Sequence, residues 1–154
     1  MKFASSRFGD LEVDDRAILT FPTGILGFPE RTRYVILDHD TDAPFKWLHC
    51  VEQPDLAFVI IDPALFKPDY RVSPSQDALT EIHATENQDL VIAVLLTIPS
   101  HDPAGITANL RGPLIMNPES RLCKQLVLSE ECPTRYPLFT PERVSAQLLQ
   151  NTAV

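Results

Sequence analysis

The sequence predicts a mainly β fold, a small antiparallel β-barrel-like domain with one or two short helices. Short apolar segments rich in β-branched residues recur along the chain, and most of its 14 prolines lie at their ends. Proline suits strand ends because its missing N–H is not needed there for the ladder. Short strands with proline-rich turns are typical of a β-barrel or sandwich. At 154 residues the chain fits one domain, residues 1–154, with its own hydrophobic core.

Two segments give the clearest strand predictions. Residues 56–61 and 90–96 are apolar on both faces, as expected for central strands that are covered on each side. Six further segments complete a set of strands suited to a barrel or sandwich. They are residues 17–21, 33–37, 45–50, 107–110, 114–116 and 124–128.

Two helix starts carry capping signals. Ser73 offers an N-cap, Pro74 follows at the first helical position, and Gln76 supplies a capping-box side chain. Thr140 starts the second, a short C-terminal helix over residues 140–150. Because a helix of two or three turns is marginal alone, we expect its apolar stripe to dock on the domain rather than to meet a partner. The stripe, at i, i+4 and i+5, consists of Val144, Leu148 and Leu149.

The formal net charge of −8 is unevenly distributed along the chain. Residues 47–106 contain nine carboxylates but only Lys67 and Arg71 as bases. A negative surface repels phosphate backbones and attracts basic partners, so direct nucleic-acid binding is disfavoured. Composition leaves two interpretations open: the acids attach a cationic partner, or they only keep the protein soluble.

Hydropathy and cysteine usage predict a cytoplasmic protein without a membrane partner. No apolar run approaches the roughly 20 residues needed to cross a bilayer, and the N-terminal residues lack a signal-peptide pattern. Cys50, Cys123 and Cys132 form an odd set without CxxC spacing. That pattern argues against a disulfide framework and fits a reducing compartment.

Catalytic and metal-binding templates fail on specific residues. The chain lacks a GxSxG elbow and a phosphate-binding GxxxxGK(S/T) loop. Gly24 and Gly27 have the GxxG spacing of KH domains, but the apolar residues between them favour a tight turn. Residues 38–42 resemble the first half of a calcium-binding EF-hand loop. That loop needs Gly at its sixth position and Glu at its twelfth, and this chain has Ala43 and His49 there. The histidines lack zinc-binding spacing. We therefore predict no enzymatic activity, no cofactor and no metal site.

Three segments, in order, carry a resemblance to a known family. Residues 21–30 read FPTGILGFPE, residues 44–63 contain PFKWL, then EQPDLAF and a closing Asp-Pro, and residues 107–117 read TANLRGPLIMN. With their spacing they cover about residues 15–140, and the ordered set resembles the flagellar assembly factor FliW family. Cys123 departs from the family pattern, which usually has glycine at that position.

The resemblance implies a β-barrel-like fold and a regulatory role in flagellum building. It implies binding to the small RNA-binding translational repressor CsrA and binding to flagellin. In such a system flagellin occupies the factor while it is plentiful. After flagellin is exported, the freed factor antagonises CsrA and flagellin translation resumes. The two partners then compete, and each is expected to weaken the apparent affinity of the other.

The charge distribution suggests candidate contact residues. CsrA carries a basic surface to hold RNA, so an acidic neighbour attracts that surface and repels RNA. We expect Asp55, Asp62 and Asp69 to face CsrA, and an exposed apolar element to meet flagellin. Asn109 and Asn117 leave two interpretations open, because asparagine is a poor strand former. They satisfy backbone groups at a barrel end, or they contact a partner.

Two other classes of function compete with protein binding. Small barrels often bind oligonucleotides, although the acidic middle of this chain and its few basic residues oppose that function. A small barrel enzyme with an unidentified site is the second alternative. Retardation of RNA in the absence of CsrA would favour the first class, and a bound chromophore or metal would favour the second.

Overall fold

The computed structural model describes residues 1–38 and 44–138. No helix within these ranges is long and apolar enough to cross a membrane. The helix and strands are α1 (Gln76–Glu81), β1 (Lys2–Ser5), β2 (Gly9–Glu12), β3 (Leu19–Thr20), β4 (Arg33–Asp38), β5 (Lys46–Cys50), β6 (Ala57–Ile61), β7 (Val91–Thr97), β8 (Thr107–Ala108), β9 (Leu114–Met116), β10 (Cys123–Gln125) and β11 (Tyr136–Pro137). Short 3-10 turns lie at Asp15–Ala17, Pro63–Leu65 and Pro103–Gly105.

One antiparallel sheet of nine strands curls on itself, which confirms the predicted fold class. Seven of its strands follow the order β10-β9-β7-β6-β5-β4-β3. The two ends of this path meet, because Thr20 in β3 and Leu122 beside β10 form a parallel bridge. The Thr20 N–H donates to the Arg121 carbonyl at 2.9 Å. The sheet therefore takes a barrel-like shape.

The sheet branches at β7. The first part of this strand, Val91 to Ala93, pairs with β9, whereas its end, Leu96 and Thr97, pairs with β8. β8 in turn pairs with β11. The segment between β8 and β9 therefore crosses from one branch to the other.

Alternation along the strands divides the apolar side chains between the barrel interior and its outer surface. Phe21, Tyr34 and Leu48 are fully buried in the interior. The rings of Phe21 and Tyr34 meet edge to face, with centroids 5.4 Å apart. The Tyr34 hydroxyl finds no hydrogen-bond partner among the described residues, and burial raises its pKa. Tyr34 thus stays neutral and acts as an interior packing residue.

The hairpin of β1 and β2 covers the outer face of β4 and β5. Phe3 packs there with Val35 and Val51. It also contacts His49, with ring centroids 5.3 Å apart. This hairpin is an addition to the predicted set of strands. Each of its strands has only four residues, and an apolar alternation of that length is too short to predict a strand.

Helix α1 covers the outer face of β9 and β10, where Ala78 and Ile82 pack with Ile115. The helix begins later than predicted, because Ser75 and not Ser73 is the N-cap. The Ser75 hydroxyl accepts a hydrogen bond from the Ala78 N–H at 3.1 Å. The later start follows from packing, since Ala78 is the first buried residue of the helix.

A third cover lies over β6 and β7 and consists of the segment after β6 together with β8 and β11. Tyr70 donates its hydroxyl to the Leu110 carbonyl at 2.6 Å, and burial raises the pKa of Tyr70 to about 12. Phe66 lies against Tyr136, with ring centroids 5.8 Å apart. Within the described residues, the barrel thus has one interior and three outer apolar layers.

All the predicted strands are present, and several are shorter than expected. In the predicted segment 124–128, β10 ends at Gln125, and Leu126 then donates its N–H to the Pro113 carbonyl. Strand β11 is an addition to the predicted set. The predicted helix over residues 140–150 and most of the EF-hand-like stretch 38–42 lie outside the described residues.

Candidate protein-binding surfaces

The three predicted contact carboxylates lie in exposed positions at the two ends of β6 or beyond it. Asp55 lies in the turn before β6, and Asp62 follows the strand directly. The five-residue strand between them separates their positions by roughly 20 Å, at about 3.3 Å per residue. Asp69 lies on the same segment as Asp62. The structure therefore does not bring Asp55 together with the other two.

Each of these carboxylates also has a partner within the chain. Asp62 accepts from the backbone N–H two residues later at 2.9 Å and caps the 3-10 turn. Asp69 lies 3.3 Å from the Lys67 ammonium group, and Asp55 accepts from the Gln53 side chain at 3.1 Å. These contacts are solvent-exposed and weak, so a cationic partner can compete for them.

Asn109 organises the turn between β8 and β9. Its side-chain oxygen accepts from the N–H groups of Arg111 and Gly112 at 3.1 and 3.0 Å. The Arg111 guanidinium then donates to the Cys132 carbonyl at 2.9 Å. This Asx-type turn fixes the crossing segment to the chain before β11. For Asn109 the geometry thus supports the first interpretation, satisfaction of backbone groups.

Asn117 is 1% exposed, so its side chain offers no surface to a partner. Its amide nitrogen donates to the Ile82 carbonyl at 2.9 Å. Its oxygen accepts from the Gln88 amide at 2.7 Å and from the Glu119 N–H at 3.0 Å. The side chain joins the end of α1, the loop before β7 and the β9–β10 turn. Asn117 therefore also satisfies polar groups within the fold.

The β9–β10 turn has its unusual backbone at Arg121 and not at Cys123. Arg121 has a φ of 63°, in the left-handed region. Cys123 lies in β10 opposite Met116 and is fully buried. Burial raises the pKa of the Cys123 thiol to about 12. The departure from the family glycine thus falls on a buried strand position, where the thiol acts as a small apolar side chain.

A groove of about 470 Å³ lies on the outer surface between α1 and the start of β7. Three of its apolar lining residues belong to the layer that α1 covers, a fourth lies on α1 itself, and two carboxylates also line it. We name it the α1 groove, with Val72, Leu79, Leu90 and Ile92 in its floor and Glu86 and Asp89 on its rim. An apolar floor with an acidic rim fits a ligand that is both apolar and cationic.

The chain segment that lines the α1 groove is rich in acids. From Val72 to Leu110 the chain contains five carboxylates and no Lys or Arg. Lys124 of β10 pairs with Glu81 at 2.8 Å and neutralises one of them. The groove itself could not be read from the sequence, but this run without a basic residue is the signal that points to it.

The turn after β3 presents an exposed leucine on a fixed backbone. Leu26 is 63% exposed, and its N–H donates to the Gln125 side-chain oxygen at 2.8 Å. Gly24 has a φ of 71°, and a Cβ there would lie 2.5 Å from the Phe28 carbonyl oxygen, so only glycine fits. This confirms the predicted tight turn. Val127, two residues beyond Gln125, is 68% exposed. We name Leu26 and Val127 the apolar tip.

The buried pair of Ser5 and His49 has a structural role. Ser5 Oγ and His49 Nε2 lie 2.8 Å apart, a spacing also found in nucleophile–base pairs. However, Ser5 Oγ accepts from the N–H groups of Arg7 and Phe8 at 3.2 and 3.1 Å. His49 Nδ1 donates to the Cys50 carbonyl at 2.7 Å. The pair therefore holds the hairpin to β5. Within residues 1–38 and 44–138, no group of three or more His, Cys, Asp or Glu side chains could hold a metal.

Comparison with known proteins gives one consistent family. The family model described as FliW protein matches residues 2–138. The flagellar assembly factor FliW of Natranaerobius thermophilus is 43% identical over 148 residues, which cover 96% of this chain and 98% of that protein. The corresponding factor of Leptospira biflexa is 40% identical over 124 residues, which cover 80% of this chain and 81% of that protein.

The solved structures agree with the sequence comparison. A crystal structure of the flagellar assembly factor FliW aligns with a TM-score of 0.83 and 33% sequence identity. The alignment covers 92% of this chain and 99% of that chain. The shared architecture therefore includes the barrel and its outer layers.

Proposed function

This chain belongs to the FliW family of flagellar assembly factors, and from that premise we propose that it couples flagellin synthesis to assembly by binding two proteins in turn. It antagonises a CsrA-type translational repressor, and flagellin competes with the repressor for it. It acts in the cytoplasm by attachment to these partners. It requires no cofactor and converts no substrate.

The exposed acid excess of residues 47–106 is the observation that carries the repressor part of this proposal. Eight of the nine carboxylates there are exposed, and only Glu52 is partly buried. Glu52 accepts from the backbone N–H groups of Thr32 and Arg33, both at 3.0 Å. A repressor that holds RNA presents a basic surface, so attraction favours its encounter with this face while RNA phosphates are repelled.

We propose that Asp62 and Asp69 attract CsrA electrostatically, and that Asp55 does so separately from the other end of β6. The triple variant D55K/D62K/D69K should raise the Kd for CsrA steeply at low ionic strength and flatten its salt dependence. Exposed charges act over about one Debye length, about 10 Å at 0.1 M salt, so this effect should fade as salt is added. Unchanged binding at low salt would show that the three carboxylates do not attract CsrA.

The apolar tip is the proposed flagellin contact. An amphipathic helix buries its apolar face on such a surface, and a leucine on a fixed turn loses little entropy when it binds. The variant L26S/V127S should weaken flagellin binding roughly tenfold or more, because it removes two apolar anchors. L65S is the matched control, since Leu65 is 61% exposed in the 3-10 turn after β6. An equal loss in L65S would exclude the tip as the contact.

Purified proteins test the proposed function directly. Calorimetric titrations with CsrA, with flagellin and with both together should show binding of each and reciprocal weakening. Failure to bind either protein at every ionic strength would reject the proposal. Retardation of RNA in a gel without CsrA would instead support the oligonucleotide-binding class. A metal or chromophore that copurifies with the protein would support the barrel-enzyme class.

A further inference from the structure

The α1 groove is fixed by hydrogen bonds before any ligand arrives. Gln88, which lines the groove, donates to the buried Asn117 side chain at 2.7 Å. Ser75 caps the helix that forms one wall. Leu79, in the floor, is 6% exposed and belongs to the core. A site whose walls are already ordered loses less conformational entropy on binding than a mobile surface does.

The field over this groove favours a cation. Glu86 and Asp89 are exposed on the rim, and Asp77 is exposed on α1. Lys124 is already engaged with Glu81, and residues 72–110 contain no Lys or Arg to balance these acids. Apolar floor and acidic rim lie side by side, which suits a Lys or Arg side chain. Such a side chain can lay its aliphatic stem on the floor while its charged end reaches the rim.

We propose that the α1 groove binds a cationic amphipathic segment of the RNA-binding repressor, with apolar side chains on the floor and Lys or Arg side chains along the rim. This inference rests on the proposed function, because it assigns the place at which the repressor is held. It differs from the sequence-level hypothesis, in which Asp55, Asp62 and Asp69 face the repressor. Those exposed carboxylates then act only at longer range, by steering the encounter.

Other occupants satisfy the groove less well. A nucleic acid would place phosphates against Glu86 and Asp89. A second copy of this chain carries the same net charge of −8 and would be repelled. A purely apolar helix would fill the floor but leave the rim carboxylates desolvated without partners, which is unfavourable. A cationic amphipathic segment matches both parts.

The test compares two charge reversals of equal size. E86K/D89K reverses the rim, and D62K/D69K changes the net charge by the same amount on the segment after β6. Each variant is titrated with purified CsrA at about 0.1 M and about 1 M salt, where the Debye length falls to about 3 Å. Circular dichroism and the thermal midpoint establish that both variants are folded.

We expect E86K/D89K to raise the Kd roughly tenfold or more at both salt concentrations, because rim charges are in direct contact with the segment. D62K/D69K should weaken binding only at low salt. If wild-type protein binds CsrA and E86K/D89K loses no more affinity than D62K/D69K at high salt, the groove assignment is overturned and the proposed function stands. If wild-type protein does not bind CsrA at all, the proposed function itself fails.

Discussion

Replacing Asn117 with alanine removes one side chain that joins three parts of the chain, and its cost can be worked out bond by bond. The Ile82 carbonyl keeps the Ser120 hydroxyl at 2.8 Å, so it is not left unpaired. The Gln88 amide and the N–H groups of Glu119 and Ser120 lose their acceptor, and the His83 carbonyl loses a donor. A buried polar group without a partner costs about 1–3 kcal/mol, whereas water can replace the bond of an exposed one. Together with the small void, we expect N117A to lower the free energy of unfolding by about 2–4 kcal/mol.

Equilibrium unfolding in urea measures this loss, and N109A provides the matched control. Asn109 is less buried and supports a local Asx turn, so N109A should lose only about 1 kcal/mol. N117D keeps an acceptor oxygen but buries a carboxylate against the Ile82 carbonyl, so it should lose at least as much stability as N117A. A loss below about 0.5 kcal/mol in N117A, or a loss equal to that of N109A, would refute the reasoning. A tenfold change in CsrA affinity without a change in stability would instead restore Asn117 as a contact residue.

Glu52→Ala should lower the free energy of unfolding by about 1–3 kcal/mol at pH 7, and Glu52→Gln, which keeps an acceptor oxygen, should lose less. Burial alone would raise the Glu52 pKa, but its two backbone donors and neighbouring arginines bring it below the ordinary value. The stabilisation by the Glu52 carboxylate is therefore present above its pKa in the unfolded chain, and it is lost as the pH falls through its pKa in the folded protein. Urea unfolding at decreasing pH should show this loss in the wild-type protein and not in the Gln variant. A chromogenic disulfide reagent should label Cys132 first and the fully buried Cys50 and Cys123 only on unfolding. Rapid labelling of all three thiols in the folded protein would contradict the burial of Cys50 and Cys123. Gly24→Ala should cost about 3 kcal/mol or more, since the added methyl meets backbone atoms within 2.8 Å. A Cβ at Gly27 would meet open space, so Gly27→Ala should lower the free energy of unfolding by only about 1 kcal/mol. Equal losses for the two variants in thermal or urea unfolding would contradict the clash at Gly24.

The strands of the barrel were predictable because their apolar patterns are local. Residues 56–61 and 90–96 carry enough β-branched and apolar side chains to specify central strands without reference to the rest of the chain. The hairpin of β1 and β2 was not predictable in this way. Its stability depends on contacts such as that of Phe3 with Val35 and Val51, which only the folded barrel brings together.

The candidate site was predictable in its sign but not in its geometry. The acid excess of residues 47–106 fits either a cationic partner or a role in solubility, and it does not show that β6 separates Asp55 from Asp62. The α1 groove requires the packing of α1 on β9 and β10, a contact between segments far apart in the chain. For Asn117, sequence leaves contact and scaffold roles equally open, and burial alone decides between them.

The position of β10 suggests a physical basis for the proposed competition between CsrA and flagellin. Lys124 pairs with Glu81 on α1, Gln125 holds the backbone of Leu26, and Val127 belongs to the apolar tip. Three residues of extended chain span about 10 Å, which is no more than the width of one α-helix. We therefore propose that a folded protein docked at either surface overlaps the other, in which case competition needs no conformational change. A short cationic peptide that fills only the α1 groove should then bind together with flagellin, whereas intact CsrA should not. If that peptide also excluded flagellin, the coupling would have to pass through the barrel itself.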